Sequence, residues 1–177
     1  MAVQLLDERA RAYPRSTPVA VATYLRALRP GVSRVAESRQ LFIRRIGMLM
    51  ERVRQGDAAD FGEAADTAGR EAAADFRYVR AELAARPAPA VCEACQEAAL
   101  TWIDMLIAAA DVLGEIGMLD EPTRLREVQA LLAEGRAFSN RFRAHYEMLV
   151  RQLRALSPAK PRRRRKIVRL LPFGQPG

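Results

Sequence analysis

Apolar residues recur at alternating spacings of three and four over four long stretches of this chain, and this spacing constrains its fold more than any other feature. In the first stretch the series runs from Val21 to Val53, and Arg39 is its one polar member. An average spacing of 3.5 places a narrow apolar stripe along one side of an α-helix. The pattern therefore predicts a helix over residues 17–54, with Thr17 as its N-cap.

The dipeptide Pro30-Gly31 lies inside this first stretch and would ordinarily indicate a turn. The apolar register nevertheless continues through it without a shift, which two separate helices would have no reason to preserve. We therefore predict one long helix with a kink near Arg26–Pro30, where proline removes a backbone hydrogen bond.

Three further helices are predicted by the same spacing, over residues 58–86, 89–118 and 122–156. Asp57 can cap the second helix, and Pro87 and Pro89 separate it from the third. The connections are short, so neighbouring helices are expected to be antiparallel. The predicted fold class is all-α, an antiparallel up-down-up-down four-helix bundle with long helices.

The bundle is expected to occupy residues 17–156, one domain's worth of chain. Residues 1–16 are predicted to be a short N-terminal amphipathic segment. Residues 157–177, which we call the tail, are predicted to be a disordered basic C-terminal extension.

The excess positive charge of the chain is concentrated in the tail. The chain has 29 Lys and Arg against 21 Asp and Glu, a net charge of +8. The tail has no acidic residue, and without it 22 basic residues face 21 acids, so the rest of the chain is nearly neutral. The basic residues of the tail, which are the predicted anion-binding residues, are Lys160, Arg162, Arg163, Arg164, Arg165, Lys166 and Arg169.

A basic cluster of this kind binds polyanions by neutralising phosphates and releasing counterions. The leading interpretation of the tail is therefore a nucleic-acid-binding arm. Apolar residues, from Ile167 to Phe173, come after the cluster. They also suit an anionic membrane surface, a groove on a partner protein, or docking onto the chain's own bundle. A solvated end without a partner is a further alternative.

The pair Cys92 and Cys95 is the one motif with redox chemistry in the chain. A Cys-x-x-Cys pair at a helix start can form a redox disulfide, because the N-terminal dipole stabilises the thiolate. Both cysteines, however, fall on the apolar stripe of the third predicted helix. Buried packing of two free thiols is therefore the preferred interpretation. A small helical thiol redox protein is the alternative, and a metal site shared between two copies is a third possibility.

The remaining polar residues do not form a recognisable catalytic set. His145, the single histidine, flanks the apolar stripe of the fourth predicted helix, and the Glu-x-x-His motif of di-iron bundles is absent there because residue 142 is Phe. Glu97, Asp104 and Asp111 lie opposite the stripe of the third helix, as a solvated face that can pair with arginines of a neighbour. Hydrolytic catalysis and a cofactor are not expected.

Taken together, these features predict a non-enzymatic interaction or scaffold protein whose Arg-rich tail binds an anionic partner, nucleic acid first. No transmembrane segment and no signal peptide are evident, so we expect a cytoplasmic protein. An Arg-rich, Lys-poor composition is typical of GC-rich bacterial genomes. Apolar residues beside the stripes, such as Ile43 and Ile103, are consistent with a homodimer or with a wider buried face.

Overall fold

The computed structural model of the protein describes residues 17–56 and 60–156. This part of the chain forms four α-helices and contains no β-strand, which confirms the predicted all-helical fold class. The helices are α1 (Pro18–Gln55), α2 (Phe61–Ala84), α3 (Glu93–Leu119) and α4 (Leu125–Leu156). The predicted N-terminal segment and the tail lie outside the described residues.

Helix α1 begins and ends where its capping residues indicate. The Thr17 hydroxyl oxygen accepts a hydrogen bond of 3.2 Å from the Ala20 backbone N–H, and Pro18 occupies the first turn. The helix continues through Pro30, as the unbroken register predicted. It ends at Gly56, whose φ of 74° lies in the left-handed region that glycine adopts at low cost.

The other three helices begin a few residues later than the predicted ranges. Helix α2 starts at Phe61, after Asp60 in a left-handed conformation, and the predicted cap Asp57 lies outside the described residues. Short 3₁₀ turns, Ala90–Cys92 and Pro122–Arg124, precede α3 and α4. Tight turns of this kind are common at helix N-termini, where the first backbone N–H groups have no intrahelical partner.

Helices α2 and α3 approach each other most closely, and glycines make this possible. A Cβ atom placed on Gly69 would lie 2.5 Å from the backbone nitrogen of Gly114, and one on Gly117 would lie 2.2 Å from that of Asp66. Both distances are well below van der Waals contact. Asp66 lies opposite Gly117, and Gly69, which comes later in α2, lies opposite Gly114, which comes earlier in α3. The two helices therefore run antiparallel.

The other neighbouring helices are also antiparallel. Between α1 and α2, Ser38 hydrogen-bonds to Asp75, and Arg86, just beyond α2, reaches back to Ala27. Between α3 and α4, the Trp102 and Phe142 rings stack with centroids 6.4 Å apart, and Met105, later in α3, lies against Gly135, earlier in α4.

Helices α1 and α4 also contact each other. The side-chain amide nitrogen of Gln129, near the start of α4, lies 3.1 Å from the sulfur of Met50, near the end of α1. Helix α1 therefore has α2 on one flank and α4 on the other, which makes α1 and α4 neighbours although they are the first and last helices in sequence.

The predicted apolar stripes form one continuous core between the four helices. Its largest fully buried side chains include Phe42 of α1 and Phe76 of α2, whose rings meet edge to face with centroids 6.0 Å apart. In the part of the chain that the structure describes, no charged side chain is buried. The core is therefore held by apolar packing, and ionic chemistry is confined to the surface.

Candidate functional site

The predicted anion-binding residues of the tail, from Lys160 to Arg169, lie outside the described residues. The structure therefore places only the body from which the tail extends, and α4, the last helix, ends at Leu156, immediately before it. The described candidates are the cysteine pair, the polar residues beside the stripes, and the surface arginines.

Cys92 and Cys95 are both inside the core. Cys92 ends the 3₁₀ turn that precedes α3, and Cys95 lies in the first turn of that helix. Their exposed fractions are 0% and 1%, and both thiols are free. A redox partner that approached from solvent would have no access to either sulfur in this conformation.

The electrostatics of the pair oppose thiolate formation. Burial raises the pKa of Cys92. Burial, with a smaller contribution from Cys92, raises the pKa of Cys95 to about 12. Reactive cysteines have a lowered pKa, because the thiolate is the nucleophile. Near pH 7 both groups are therefore neutral thiols that pack as small apolar side chains.

Tyr24 belongs to the same end of the core, and the sequence alone did not single it out as a candidate. Its side chain is buried, and its hydroxyl has no hydrogen-bond partner among the described residues. Burial raises the pKa of Tyr24 to about 12, with smaller contributions from Cys95 and Cys92. Three neutral titratable groups therefore lie close together. Tyrosine in an apolar stripe was a visible signal, but only the fold shows that its hydroxyl is left unpaired.

The acidic line of α3 is partly paired. Asp111 accepts two hydrogen bonds of 2.7 Å from Arg77, and Asp104 pairs with Arg80, both from α2. Glu97 is exposed and has no ion pair with a described residue. The expected pairing with a neighbouring helix is therefore found for two of the three acids.

His145 and Arg39 are both partly exposed on the flanks of their helices. Neither side chain has an ion-pair or hydrogen-bond partner within residues 17–56 and 60–156. Across the same residues, no group of three or more His, Cys, Asp or Glu side chains is arranged to hold a metal ion.

The four helices differ strongly in charge, which a total for the body conceals. Helix α1 has eight Arg and two Glu, and α4 has six Arg and three Glu. Helix α3 has five acidic residues and no basic one, and α2 has five acids and three Arg. The nearly neutral body thus has a basic half, α1 with α4, and an acidic half, α2 with α3.

The ion pairs follow the same division between the two halves of the body. All three arginines of α2 pair with an aspartate, as Arg70 does with Asp66 at 2.7 Å, and Arg86 and Arg124 beside the helices are also paired. The described arginines that have no ion pair with a described residue all lie on α1 or α4. They are Arg26, Arg29, Arg39, Arg44, Arg52, Arg126, Arg136, Arg141, Arg143, Arg151 and Arg154.

Comparisons with known proteins give no relative for this chain. No protein-family model, no curated protein and no solved structure matches it. Of the helices described, none combines the length and the apolar character that are needed to cross a bilayer.

Proposed function

We propose that this protein is a non-enzymatic interaction or scaffold protein whose Arg-rich tail binds an anionic partner, nucleic acid first. The observation that carries the proposal is the charge of the tail, which has seven basic residues and no acid. Such a segment gains binding free energy by releasing the counterions that surround a polyphosphate.

The rest of the chain supplies a rigid body for this arm, in our proposal an up-down-up-down bundle. The pKa values of Cys92 and Cys95 are raised and both thiols are buried, which favours packing over thiol chemistry for this pair. The basic helix α4 leads directly into the tail, so the charge of the tail continues the charge of the helix before it.

The test compares the full-length protein with a tail variant in which six clustered basic residues become glutamine. These are Lys160, Arg162, Arg163, Arg164, Arg165 and Lys166. Binding to a fluorescent 16-base-pair DNA duplex is measured by anisotropy between 50 and 200 mM NaCl. We expect the tail variant to bind at least about a hundredfold more weakly and with a shallower salt dependence, because it neutralises fewer phosphates.

Circular dichroism of both proteins provides the control. Equal helicity with weakened binding supports a tail that acts as a binding arm. Loss of helicity in the tail variant would mean that these residues stabilise the fold. Unchanged affinity at every salt concentration would overturn the proposal, since the charge cluster would then contribute nothing to binding.

Anionic vesicles of phosphatidylserine and phosphatidylcholine are titrated in parallel, because the apolar residues after the cluster also suit a membrane surface. Tighter binding to these vesicles than to the duplex would contradict the nucleic-acid assignment and identify the tail as a membrane-binding arm.

A further inference from the structure

We propose that the unpaired arginines along the seam between α1 and α4 form a second phosphate-binding surface, which contacts the backbone of a nucleic-acid duplex. We name it the α1–α4 surface and define it by Arg29, Arg136, Arg143 and Arg154. It rests on the proposed function in that it extends the tail's site onto the folded body.

Arg29 and Arg154 lie toward the same end of the bundle. Arg29 of α1 lines a shallow recess together with Phe142 and Tyr146 of α4, so it lies at the boundary between the two helices. Arg154 lines a groove formed by α4 residues, which also contains Tyr146 and the acidic Glu147. Both recesses include Tyr146, so the two arginines lie toward the end of α4 that precedes the tail.

Periodicity places the other two arginines on the same flank. Gln129 contacts Met50 and so faces α1. Arg136 and Arg143 come after Gln129 at intervals of seven residues, which is close to two helical turns. Both side chains therefore project from the side of α4 that faces α1.

The guanidinium groups of these four arginines are available to a ligand. None of the four has an ion pair within the described residues, whereas every arginine of α2 is paired with an aspartate. A phosphate that binds the α1–α4 surface consequently displaces no carboxylate. The five acids of α3, which has no basic residue, repel phosphates and restrict this binding to one half of the body.

The length of the α1–α4 surface suits a duplex. On α4 its arginines extend from Arg136 to Arg154. At 1.5 Å per residue they span about 27 Å along the helix. This length matches about 8 base pairs of a duplex, whose phosphates are regularly spaced along a rigid rod.

The aromatic residues favour a duplex over a single strand. Single-strand binding surfaces combine positive charge with exposed rings on which bases stack. Among the described residues, the well exposed aromatic is Tyr78, 58% exposed, and it lies on α2. On the seam itself, Phe142 is buried and Tyr146 is partly buried. Backbone contacts without base stacking therefore suit this surface best.

The experiment uses the full chain and two variants with the same change in charge. The surface variant carries Arg29→Gln, Arg136→Gln, Arg143→Gln and Arg154→Gln. The control variant carries Arg34→Gln, Arg45→Gln, Arg70→Gln and Arg77→Gln, which replace arginines that are paired with acids. Exposed ion pairs add little to stability, and thermal unfolding followed by circular dichroism verifies that both variants fold.

Affinity for the 16-base-pair DNA duplex, an RNA duplex and a single strand of the same sequence is measured between 50 and 200 mM NaCl. We expect the surface variant to bind the duplex at least about tenfold more weakly at 100 mM NaCl. Its slope of log affinity against log salt should fall by about 3 to 4, or about 0.9 for each phosphate that is no longer neutralised. The affinity of the control variant should fall by less than about threefold.

Equal reductions in affinity for both variants would mean that net charge alone controls binding, and would overturn the α1–α4 surface. Tighter binding to the single strand than to either duplex would also overturn it. The two proposals fail separately: an unaffected surface variant with a weakened tail variant rejects the surface and keeps the arm. The reverse result rejects the arm and keeps the surface.

Discussion

Arg86 donates a hydrogen bond from its guanidinium to the backbone carbonyl of Ala27, and so joins the residues just after α2 to the first third of α1. The bond lies next to Pro30, which has no N–H and leaves the carbonyl of Arg26 without its helical partner. Arg86 also pairs with Glu82. One side chain thus supports the helix at the point where proline weakens it.

We expect Arg86→Ala to lower the free energy of unfolding by about 1.5–3 kcal/mol, the range for a hydrogen bond from a charged donor. Glu82→Ala is the matched control, because it removes the ion pair and keeps the bond to Ala27. Urea unfolding followed by circular dichroism measures both. If the two substitutions have equal effects, the carbonyl of Ala27 is not what Arg86 stabilises.

The close packing between α2 and α3 predicts a sharp contrast among glycines. Gly69→Ala places a methyl group against the backbone of α3, so the helices must separate, and we expect the free energy of unfolding to fall by about 1–3 kcal/mol. Gly47→Ala is the control, because nothing lies within 4 Å of its Cβ position. It should stabilise the protein by about 0.5–1 kcal/mol, as alanine does in a helix.

Chemical denaturation of the two glycine variants measures both changes. A Gly69→Ala protein as stable as the Gly47→Ala protein would contradict the close packing of α2 on α3. The size of the difference also reports how far the two helices can separate without disruption of the core.

The sequence predicted the class and number of the helices because apolar spacing depends on one segment at a time. It did not reveal which helices approach most closely. The pattern Gly114-x-x-Gly117 is visible in α3, but only the fold brings it against Gly69 of α2. How closely two helices approach depends on both of them. The apolar spacing within one helix does not show how that helix is aligned against another.

Some properties of the candidate sites could not be predicted from the sequence either, because they depend on contacts between helices. The burial of Cys92 was predictable from its place in the stripe. The Tyr24 hydroxyl has no partner among the described residues, and this depends on which side chains other helices bring near it. The division of charge between α1 with α4 and α2 with α3 was present in the sequence. The net charge of the whole body conceals this division, and the adjacency of α1 and α4 is set by the fold.

We expect removal of the Tyr24 hydroxyl group to stabilise the protein. A buried polar group without a hydrogen bond costs about 1–3 kcal/mol. Tyr24→Phe removes that cost and keeps the ring, so we expect the free energy of unfolding to rise by about 1 kcal/mol. Tyr146→Phe, at a partly exposed site, is the control and should change little. A destabilised Tyr24→Phe protein would show that the hydroxyl has a partner in solution.

The raised pKa of Cys95 predicts that the protein becomes less stable at alkaline pH. The ordinary pKa of a thiol is 9.0, and in the folded protein that of Cys95 is about 12. Between these values the unfolded chain has released the proton and the folded chain retains it. The contribution of the neutral Cys95 thiol to the free energy of unfolding is therefore complete below about pH 9, and it is lost as the pH rises toward 12. Each group that titrates in this way adds a slope of about 1.4 kcal/mol per pH unit.

Cys92 contributes with the same sign, because its pKa is also raised. The measurement is urea unfolding of the wild type and of the Cys92→Ala, Cys95→Ala double variant at intervals from pH 7 to pH 10.5. The double variant is less stable at pH 7, because cavities replace two buried side chains, and its stability should decrease less steeply above pH 9. Parallel curves for the two proteins would mean that the thiols ionise as readily in the folded state as in the unfolded chain. The thiols would then be accessible to solvent, and a redox role for Cys92 and Cys95 would become the better interpretation of the pair.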